Sequence, residues 1–230
     1  MKKVMAFSLW GQDPKYTVGA VRNAEQLQEF YPGWIGKFYV DATTPRGIIY
    51  QMEACENIKI VERPEIGDWR AMFWRFEAAF DEDADVVVFR DTDCRLCTRQ
   101  KNATYEWIES DKIFHIMRDH PYHKFPILGG QWGVKKNDKY DMEKLIMDFY
   151  KNKSKNRYGT DYEFFIQVLY PLIKEDCMEH DEFFGGINFP DKRDLNSKGP
   201  AYVGEPFGGQ DELCFPEHRE TLKRHLNANK

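Results

Sequence analysis

The stretch Val86-Val87-Val88-Phe89-Arg90-Asp91-Thr92-Asp93 decides the fold class that we predict for this chain of 230 residues. Its first four residues are β-branched or aromatic, which is typical of a central strand covered on both faces. Two acids follow, two positions apart, so on an extended backbone their side chains project to the same side. In open α/β sheets, ligands bind just past the carboxyl ends of the strands. The stretch therefore predicts an α/β sheet with a ligand site at Asp91 and Asp93.

The residues before this strand continue the same pattern. Short apolar runs alternate with longer periodic stretches, which is typical of strands joined by helices in a doubly wound, Rossmann-like sheet. The pattern predicts strands over 4–10, 35–40, 58–61 and 86–89, and helices over 17–30, 47–55 and 69–80. In the last of these helices, apolar residues recur at three- and four-residue steps and form one stripe.

The second half of the chain is less regular. Its pattern predicts helices over 102–110, 140–150 and 162–173, a strand over 114–118, and a loop that enters another strand over 126–134. Turn residues dominate from 185 to 209. Because no linker or internal repeat divides the chain, we predict a single domain over 1–230 with two halves, 1–95 and 96–230.

Composition and charge exclude several classes of protein. Hydrophobic residues make up 42% of the chain, enough for a sizeable core, so global disorder is excluded. The 33 Lys and Arg against 38 Asp and Glu leave a net charge of -5, which argues against a nucleic-acid-binding protein. The chain has no run of 18 apolar residues and no signal-peptide pattern at its start. With five scattered cysteines, we therefore expect a cytoplasmic protein with reduced thiols and no membrane span.

The two acids after the central strand favour a bound cation. Their Cα atoms are predicted to lie roughly 6–7 Å apart. Two carboxylates at about 6 Å repel by about 2–3 kcal/mol at an effective dielectric near 20, so a site that keeps Asp91 and Asp93 ionised favours a cation beside them. Carboxylate oxygens suit Mg²⁺ or Mn²⁺, which also coordinate phosphate. The alternative is a surface turn with two solvated acids.

The ordered set of motifs resembles that of GT-A-fold glycosyltransferases with their Asp-x-Asp motif, and in particular the small glycosyltransferase domains of large DNA viruses of algae and of some bacteria. Besides 86–93, the matching segments are 73–76, 114–121, 126–133, 158–161 and 202–205. The resemblance implies a GT-A-like, Rossmann-like mixed sheet flanked by helices, in which 1–95 binds the nucleotide and 96–230 binds the sugar and acceptor.

The resemblance also implies an activity. It is the metal-dependent transfer of a hexose from a UDP-sugar, such as UDP-glucose, to a glycan or glycoprotein acceptor. If the protein is viral, the acceptor would include a capsid glycan and the reaction would take place in the host cytoplasm.

The cation ligands implied by the resemblance come from two parts of the chain. Asp93 is expected to bind Mn²⁺ or Mg²⁺ directly, and Asp91 to bind the cation or the ribose, with Thr92 between them at the donor. Enzymes of this fold often take a further ligand from near the C-terminus, and His180 is the candidate. Because the stretch 178–182 is polar, a surface histidine is an equally good interpretation of His180.

Further residues are predicted to contact the donor. Residues at the ends of the first two strands are expected to frame the base and ribose: Ser8, Leu9, Trp10 and Asp41. Arg75 is expected to reach the diphosphate or the sugar, because guanidinium matches phosphate oxygens; beside an apolar stripe, a surface arginine is the alternative. The loop at Gly130, Gln131 and Trp132 is expected to approach the sugar, with the indole stacked on it. A turn with the tryptophan as a core anchor is the alternative.

Two acids are candidates for the general base that would activate an acceptor hydroxyl in an inverting reaction. Asp161 directly precedes the predicted helix 162–173, and its alternative roles are a contact with the sugar or N-capping of this helix. Asp211 is the second candidate. The spacing of these residues does not distinguish inversion from retention.

Three other functions are alternatives. One is a carbohydrate- or nucleotide-binding module with an inert site. Haloacid-dehalogenase-type phosphatases also have Asp-x-Asp after an apolar strand, but their motif lies at the first strand and needs Thr or Val where this chain has Arg95. Nucleotidyltransferases share the sheet and the metal chemistry, but Gly11 stands alone at the first turn, without a glycine-rich phosphate loop.

Overall fold

A seven-stranded mixed sheet forms the centre of the computed structural model, which describes residues 1–228. The strands are β1 (Lys3–Leu9), β2 (Ile35–Val40), β3 (Ile58–Glu62), β4 (Val86–Phe89), β5 (Phe114–Arg118), β6 (Trp132–Lys135) and β7 (Cys177–Asp181). Their order across the sheet is β3-β2-β1-β4-β6-β5-β7, and β6 runs antiparallel to both of its neighbours. Because β1, β2 and β4 are parallel, their carboxyl ends meet at one edge of the sheet.

Helices cover both faces of the sheet. The α-helices are α1 (Pro14–Phe30), α2 (Arg46–Glu53), α3 (Thr98–Glu109), α4 (Met142–Asn152), α5 (Thr160–Phe164), α6 (Tyr170–Ile173) and α7 (Pro216–Ala228). A 3-10 helix spans Trp69–Phe80, a π-helical segment (Phe165–Leu169) joins α5 to α6, and a 3-10 turn (Lys174–Asp176) follows.

Alternate residues of β1 enter two separate cores. Met5 and Phe7 share a core with residues of α1 and α2, whereas Val4 and Ala6 share a core with the 3-10 helix and α4. All four residues of β4 are likewise buried. Burial on both faces is the reason that these strands are continuous apolar runs in the sequence.

The α/β sheet predicted from the sequence is confirmed. The strands predicted over 35–40, 86–89 and 114–118 have the observed bounds, whereas 69–80 is a 3-10 helix and α3 begins at Thr98 rather than at residue 102. Two observed elements, β7 and α7, were not predicted. Strand β7 has no apolar alternation because its polar side chains are buried against partners; Asp181, for example, lies 2.8 Å from Arg118.

No helix within residues 1–228 is long and apolar enough to cross a bilayer. All five cysteines are free thiols. Burial raises the pKa of Cys97 to about 11 and that of Cys94 well above its ordinary value, so both of these thiols are neutral near pH 7.

Two buried histidines join β5 to β7. His115 Nε2 lies 2.8 Å from His180 Nδ1, and the other ring nitrogen of His180 lies 3.2 Å from a carboxylate oxygen of Glu106. Burial lowers the pKa of both rings, and His180 lowers that of His115 further. Both rings are therefore neutral near pH 7 in the folded protein and take up protons at a lower pH than the histidines of the unfolded chain, which do so below about pH 6.5.

Acidification is expected to destabilise the fold partly through this pair. Because the unfolded chain binds more protons below about pH 6.5, the free energy of unfolding falls as the pH falls, by up to about 1.4 kcal/mol per pH unit for each proton. The His115→Gln variant should lose less stability on acidification than the wild type, measured by urea denaturation at about pH 7 and about pH 5. Equal losses in the two proteins would contradict this prediction.

Candidate active site

A cleft of about 360 Å³ opens where β1 and β4 end. Its walls come from the loop after β1, the first turn of α1, the 3-10 helix, the turn after β4, and part of the segment 158–162. The residues predicted from the sequence that line it are Ser8, Leu9, Trp10, Arg75, Asp91, Thr92, Asp93 and Asp161. Ligands bind at such positions in open α/β sheets, so the cleft is the candidate active site.

Asp91 and Asp93 each face a positively charged side chain. Asp91 Oδ1 lies 2.5 Å from Arg75 Nη1, and Asp93 Oδ2 lies 2.8 Å from Lys15 Nζ. The Asp91 side chain is 43% exposed, but that of Asp93 is only 13% exposed. Burial and then the Asp91 charge raise the pKa of Asp93, while Lys15 opposes the shift. The less exposed acid therefore needs a positive partner to stay ionised.

The acid pair has the ligand atoms of a divalent-cation site. One carboxylate oxygen each from Asp91 and Asp93 and the Cys94 sulfur all lie within 4.8 Å of one another. The Cys94 thiol is neutral, so the oxygens are the available ligands. Oxygen ligands of this kind match Mg²⁺ and Mn²⁺. The residues present therefore fit the cation predicted from the sequence.

Buried polar contacts hold the turn that carries both acids. The side-chain amide of Asn23 on α1 donates hydrogen bonds to the carbonyl oxygens of Thr92 and Cys94, at 3.0 and 2.9 Å. At Gly19, one turn earlier, a Cβ atom would lie only 2.1 Å from the Thr92 carbonyl oxygen. The glycine therefore lets α1 approach this turn closely enough to orient Asp93. Neither contact was predicted, because each joins residues about 70 positions apart.

Arg75 is buried in the wall of the cleft. Its Nη1 donates to the Arg90 carbonyl oxygen at 2.9 Å as well as to Asp91, and its backbone N–H donates to Ser8 Oγ at 3.0 Å. Its Nε is buried without a hydrogen-bond partner among residues 1–228. The alternative of a solvated surface arginine is therefore wrong, because the 3-10 helix turns this residue toward β4.

Asp161 lines the same cleft from the first turn of α5. Its side chain is buried, and Oδ1 accepts a hydrogen bond from the Tyr162 N–H at 3.1 Å. Burial raises the pKa of Asp161 to about 6; Arg75 opposes this shift and Asp91 adds to it. The N-cap of α5 is Gly159, in a left-handed conformation with φ of 78°. The N-capping alternative for Asp161 is therefore wrong.

Two adjacent glycines bring the loop before β6 against these charged groups. A Cβ atom on Gly129 would lie 2.5 Å from Asp161 Oδ2 and 2.7 Å from Arg75 Nη2. A Cβ atom on Gly130 would lie 2.2 Å from Asp91 Oδ2. A side chain at either position would displace these charged groups, so the two glycines let the loop lie against the cluster without moving it.

The next two residues of this loop do not line the cleft. Trp132 begins β6, is fully buried, and packs with its ring centroid 4.2 Å from that of Phe89. Gln131 is buried against Gly204, where a Cβ atom would lie 1.7 Å from its Nε2. The prediction that the indole stacks on a sugar is therefore wrong, and the core-anchor alternative describes Trp132.

Asp41 also lies outside the residues that line the cleft. One carboxylate oxygen accepts from the backbone N–H and the hydroxyl of Thr43, at 3.0 and 2.6 Å, and the other accepts from the Gly67 N–H at 2.6 Å. This carboxylate therefore connects the loop after β2 to the loop that leads from β3 to the 3-10 helix. The structure therefore does not support a ribose contact from Asp41.

Two predictions from the C-terminal part are corrected as well. His180 lies in the buried histidine pair described above, with both ring nitrogens engaged, and it does not belong to the acid cluster. Asp211 lies 2.9 Å from Arg22 and 2.9 Å from Arg95, outside the cleft. The structure therefore does not support His180 as a third metal ligand or Asp211 as a general base. Their roles depend on tertiary partners that the local sequence does not indicate.

Further residues that were not predicted as site residues also line the cleft, among them Lys15, Tyr16, Trp69, Tyr158 and Tyr162. The rings of Trp69 and Tyr158 are edge to face with centroids 5.4 Å apart, and the two residues are 41% and 69% exposed. Exposed aromatic faces of this kind are suited to stacking on a base or a sugar ring. The one signal in the sequence was the position of Tyr158 in the motif 158–161.

The protein is similar to known proteins in its fold. No protein-family model matches the chain, and no curated protein matches it. One similar solved structure is a glycosyltransferase involved in the glycosylation of the major capsid of PBCV-1, with a TM-score of 0.52, 12% identity, and coverage of 79% of this chain and 82% of that chain. Another is the mannosyltransferase PcManGT from Pyrobaculum calidifontis in complex with GDP-Man and Mn²⁺, with a TM-score of 0.52, 11% identity, and coverage of 79% and 55%.

A third similar structure is that of a protein named as a synthase and not as a glycosyltransferase. It is the 4-diphosphocytidyl-2C-methyl-D-erythritol synthase from Anaerococcus prevotii, with a TM-score of 0.51, 8% identity, and coverage of 82% of this chain and 93% of that chain. At such low identities, these similarities concern the fold alone. Together with the observed sheet order, they show that the protein has the single-sheet GT-A-like α/β fold.

Proposed function

We propose that the protein is a glycosyltransferase that depends on a divalent cation and transfers a sugar from a nucleoside diphosphate to a hydroxyl acceptor. The observation that carries the proposal is one cleft that is lined by the acid pair Asp91 and Asp93, by Arg75 and by Asp161. Such a cleft has groups for the departing diphosphate and a group for the acceptor proton. The fold shared with two sugar transferases supports it.

The departing diphosphate carries the negative charge that has to be stabilised. Mn²⁺ or Mg²⁺, held by Asp91 and Asp93, would act as a Lewis acid on that charge. Arg75 and Lys15 add two cationic donors on the cleft wall. The Arg75 guanidinium is held by the Arg90 carbonyl oxygen, so it needs no reorganisation when charge develops.

Asp161 is proposed as the general base. With a pKa of about 6, its carboxylate is largely ionised at neutral pH and more basic than an exposed aspartate. A base with a pKa close to the working pH is effective in proton transfer. Asp161 would accept the proton of the acceptor hydroxyl as that oxygen attacks the anomeric carbon, which corresponds to an inverting reaction.

A UDP-hexose such as UDP-glucose is the proposed donor, following the resemblance of the sequence motifs, and a glycan or glycoprotein is the proposed acceptor. The GDP-Man in the archaeal neighbour makes GDP-sugars the alternative. Because the PBCV-1 neighbour acts in capsid glycosylation, we extend the proposal to a viral capsid glycan and a host-cytoplasmic reaction. Trp69 and Tyr158 are proposed to stack on the base or on the acceptor sugar.

The proposal is tested with a panel of UDP- and GDP-sugars in the presence of Mn²⁺, Mg²⁺ or EDTA, by measuring the nucleoside diphosphate released. We expect release from one donor, only with a cation, and faster with a glycan acceptor. An inert module would bind sugar or nucleotide without release. A nucleotidyltransferase would release pyrophosphate from a nucleoside triphosphate, and a phosphatase would release phosphate from a phosphomonoester. Any of these results without donor cleavage would contradict the proposal.

Replacing Asp161 with asparagine is expected to lower turnover by about 10²–10⁴-fold, the usual contribution of a general base. Donor affinity should change little, because the amide keeps the size of the side chain. In the wild type, kcat/KM should rise with pH through about 6 as Asp161 loses its proton. This rise should be absent from the pH profile of the variant.

The matched control is Asp211→Asn. Asp211 has φ of 60°, a conformation that asparagine also adopts, and it lies outside the cleft. Its variant should keep wild-type turnover and the wild-type pH profile. Full activity of Asp161→Asn would remove the general-base role.

A further inference from the structure

We propose that Lys15 competes with the divalent cation for Asp93, and that it transfers to the donor's diphosphate when the cation binds. Cation and nucleoside diphosphate would then bind cooperatively, each weakly without the other. This inference rests on the proposed function, because it concerns the cation and the donor of the same cleft.

The two ion pairs of the cleft differ in how firmly their cations are held. Arg75 is almost fully buried and donates to the Arg90 carbonyl oxygen as well as to Asp91. Lys15 is 27% exposed, and Asp93 is its one ion-pair partner among residues 1–228. Its ammonium group also lies over the ring of Tyr16, 4.9 Å from the centroid. Lys15 is therefore the cation of this cleft that is free to move.

The position of Lys15 in the fold allows this movement. It is the second residue of α1, whose N-cap Asp13 accepts a hydrogen bond from the Lys15 backbone N–H at 2.9 Å. The backbone is fixed by this cap, while four methylene groups let the ammonium group change partners. Lys15 and both acids line one cleft. A diphosphate that binds there would therefore share the cleft with the Lys15 ammonium group.

Charge explains why the two ligands would help each other. When no nucleotide is bound, a cation that binds Asp93 has to displace the ammonium group of Lys15. This group is half-buried and then lacks a carboxylate partner. A diphosphate supplies that partner, so the displacement becomes easier when the nucleotide is present. By linkage, the cation raises nucleotide affinity by the same factor as the nucleotide raises cation affinity, typically about 5–150-fold.

The test is a titration of Mn²⁺ followed by the electron paramagnetic resonance signal of the free ion, without and with UDP. In the wild type, we expect weak binding of Mn²⁺ alone and much tighter binding with UDP. In Lys15→Met, which removes the competing charge, Mn²⁺ alone should bind roughly tenfold tighter, and the gain caused by UDP should shrink by a similar factor. Lys15→Gln should behave in the same way, and Lys15→Arg should keep a strong gain.

The matched control is Lys37→Met. Lys37 is a half-buried lysine with an ion pair of similar length, 2.7 Å to Asp81, outside the cleft, and its variant removes the same charge. It should bind Mn²⁺ like the wild type.

The outcomes separate this inference from the proposed function. If the wild type binds Mn²⁺ and UDP and cleaves a donor, but Lys15→Met and Lys15→Gln bind Mn²⁺ alone no tighter than the wild type does, the competition is overturned and the proposed function stands. An equal gain in Lys37→Met would overturn it as well, because the effect would then be one of net charge. If the wild type binds no Mn²⁺ even with UDP, both the inference and the cation-dependent function are overturned.

Discussion

Replacing Asp93 with alanine is expected to lower the affinity for UDP in the presence of Mn²⁺ by about 5–150-fold, the factor by which a bound cation is expected to raise it. Replacing residues that only support a metal ligand already costs about 10–100-fold in metal affinity or activity, so the loss of a direct ligand should remove cation binding. Titration calorimetry of UDP with and without Mn²⁺ measures the effect: the dependence on Mn²⁺ should disappear.

Asp81→Ala is the control for this prediction. Asp81 forms an ion pair with a lysine, as Asp93 does, but it lies after the 3-10 helix and outside the cleft. Its variant carries the same change of net charge and should bind UDP and Mn²⁺ as the wild type does. If Asp93→Ala retained cation-dependent binding, the acid pair would not be the cation site.

Replacing Gly130 with alanine is expected to damage both the cleft and the stability of the fold. The added Cβ atom would lie 2.2 Å from Asp91 Oδ2 and 2.7 Å from the Asp91 backbone nitrogen. The carboxylate oxygen can rotate away, but the Asp91 backbone nitrogen lies only two residues beyond the end of β4 and cannot. We expect a loss of about 1–3 kcal/mol in the free energy of unfolding, as for overpacked positions, together with a loss of cation-dependent UDP binding of at least about tenfold.

Two other glycines are controls for this substitution. At Gly47, in helix α2, a Cβ atom would meet nothing within 4 Å, so Gly47→Ala should stabilise the fold by up to about 1 kcal/mol and leave UDP binding unchanged. At Gly129, the close atoms are the ends of two side chains, Asp161 and Arg75. Gly129→Ala should therefore lower turnover more than stability. Thermal unfolding and UDP titration of the three variants check these expectations. Wild-type stability and wild-type UDP binding of Gly130→Ala would contradict them.

The prediction of the fold succeeded for segments whose residues are all buried to the same degree. The strand β4 is buried on both faces, and its four apolar residues indicate this directly. The acids that follow it were predicted to face a ligand, and they do line the cleft. The prediction missed β7, whose five residues include Glu179, His180 and Asp181. Their burial depends on β5, which supplies the partners His115 and Arg118.

The site could be predicted only as far as local geometry reaches. Positions two apart on an extended segment share a side, so the pairing of Asp91 and Asp93 follows from the chain itself. Which cation faces each acid depends on how α1 and the 3-10 helix pack on the sheet. Lys15 precedes Asp93 by many residues, and its position follows from the close contact of α1 at Gly19.

Aromatic side chains illustrate the same limit of prediction from the sequence. In the sequence, Trp132 after two glycines is typical of a sugar-stacking loop, yet it anchors the core beside Phe89. The aromatic residues at the mouth of the cleft, Trp69 and Tyr158, come from segments far apart in the chain. Whether an aromatic side chain faces the core or the solvent is decided by the element that packs over it.

The sequence by itself determined the α/β class, the buried central strand and the two acids at its end, because backbone geometry and strand burial act over a few neighbouring residues. Only the tertiary structure decided that Arg75, Lys15 and Asp161 surround those acids and that His180, Asp41 and Asp211 do not. The physical reason is that charges and hydrogen bonds act through space. Their partners are chosen by the packing of distant segments, and that packing is a property of the whole fold.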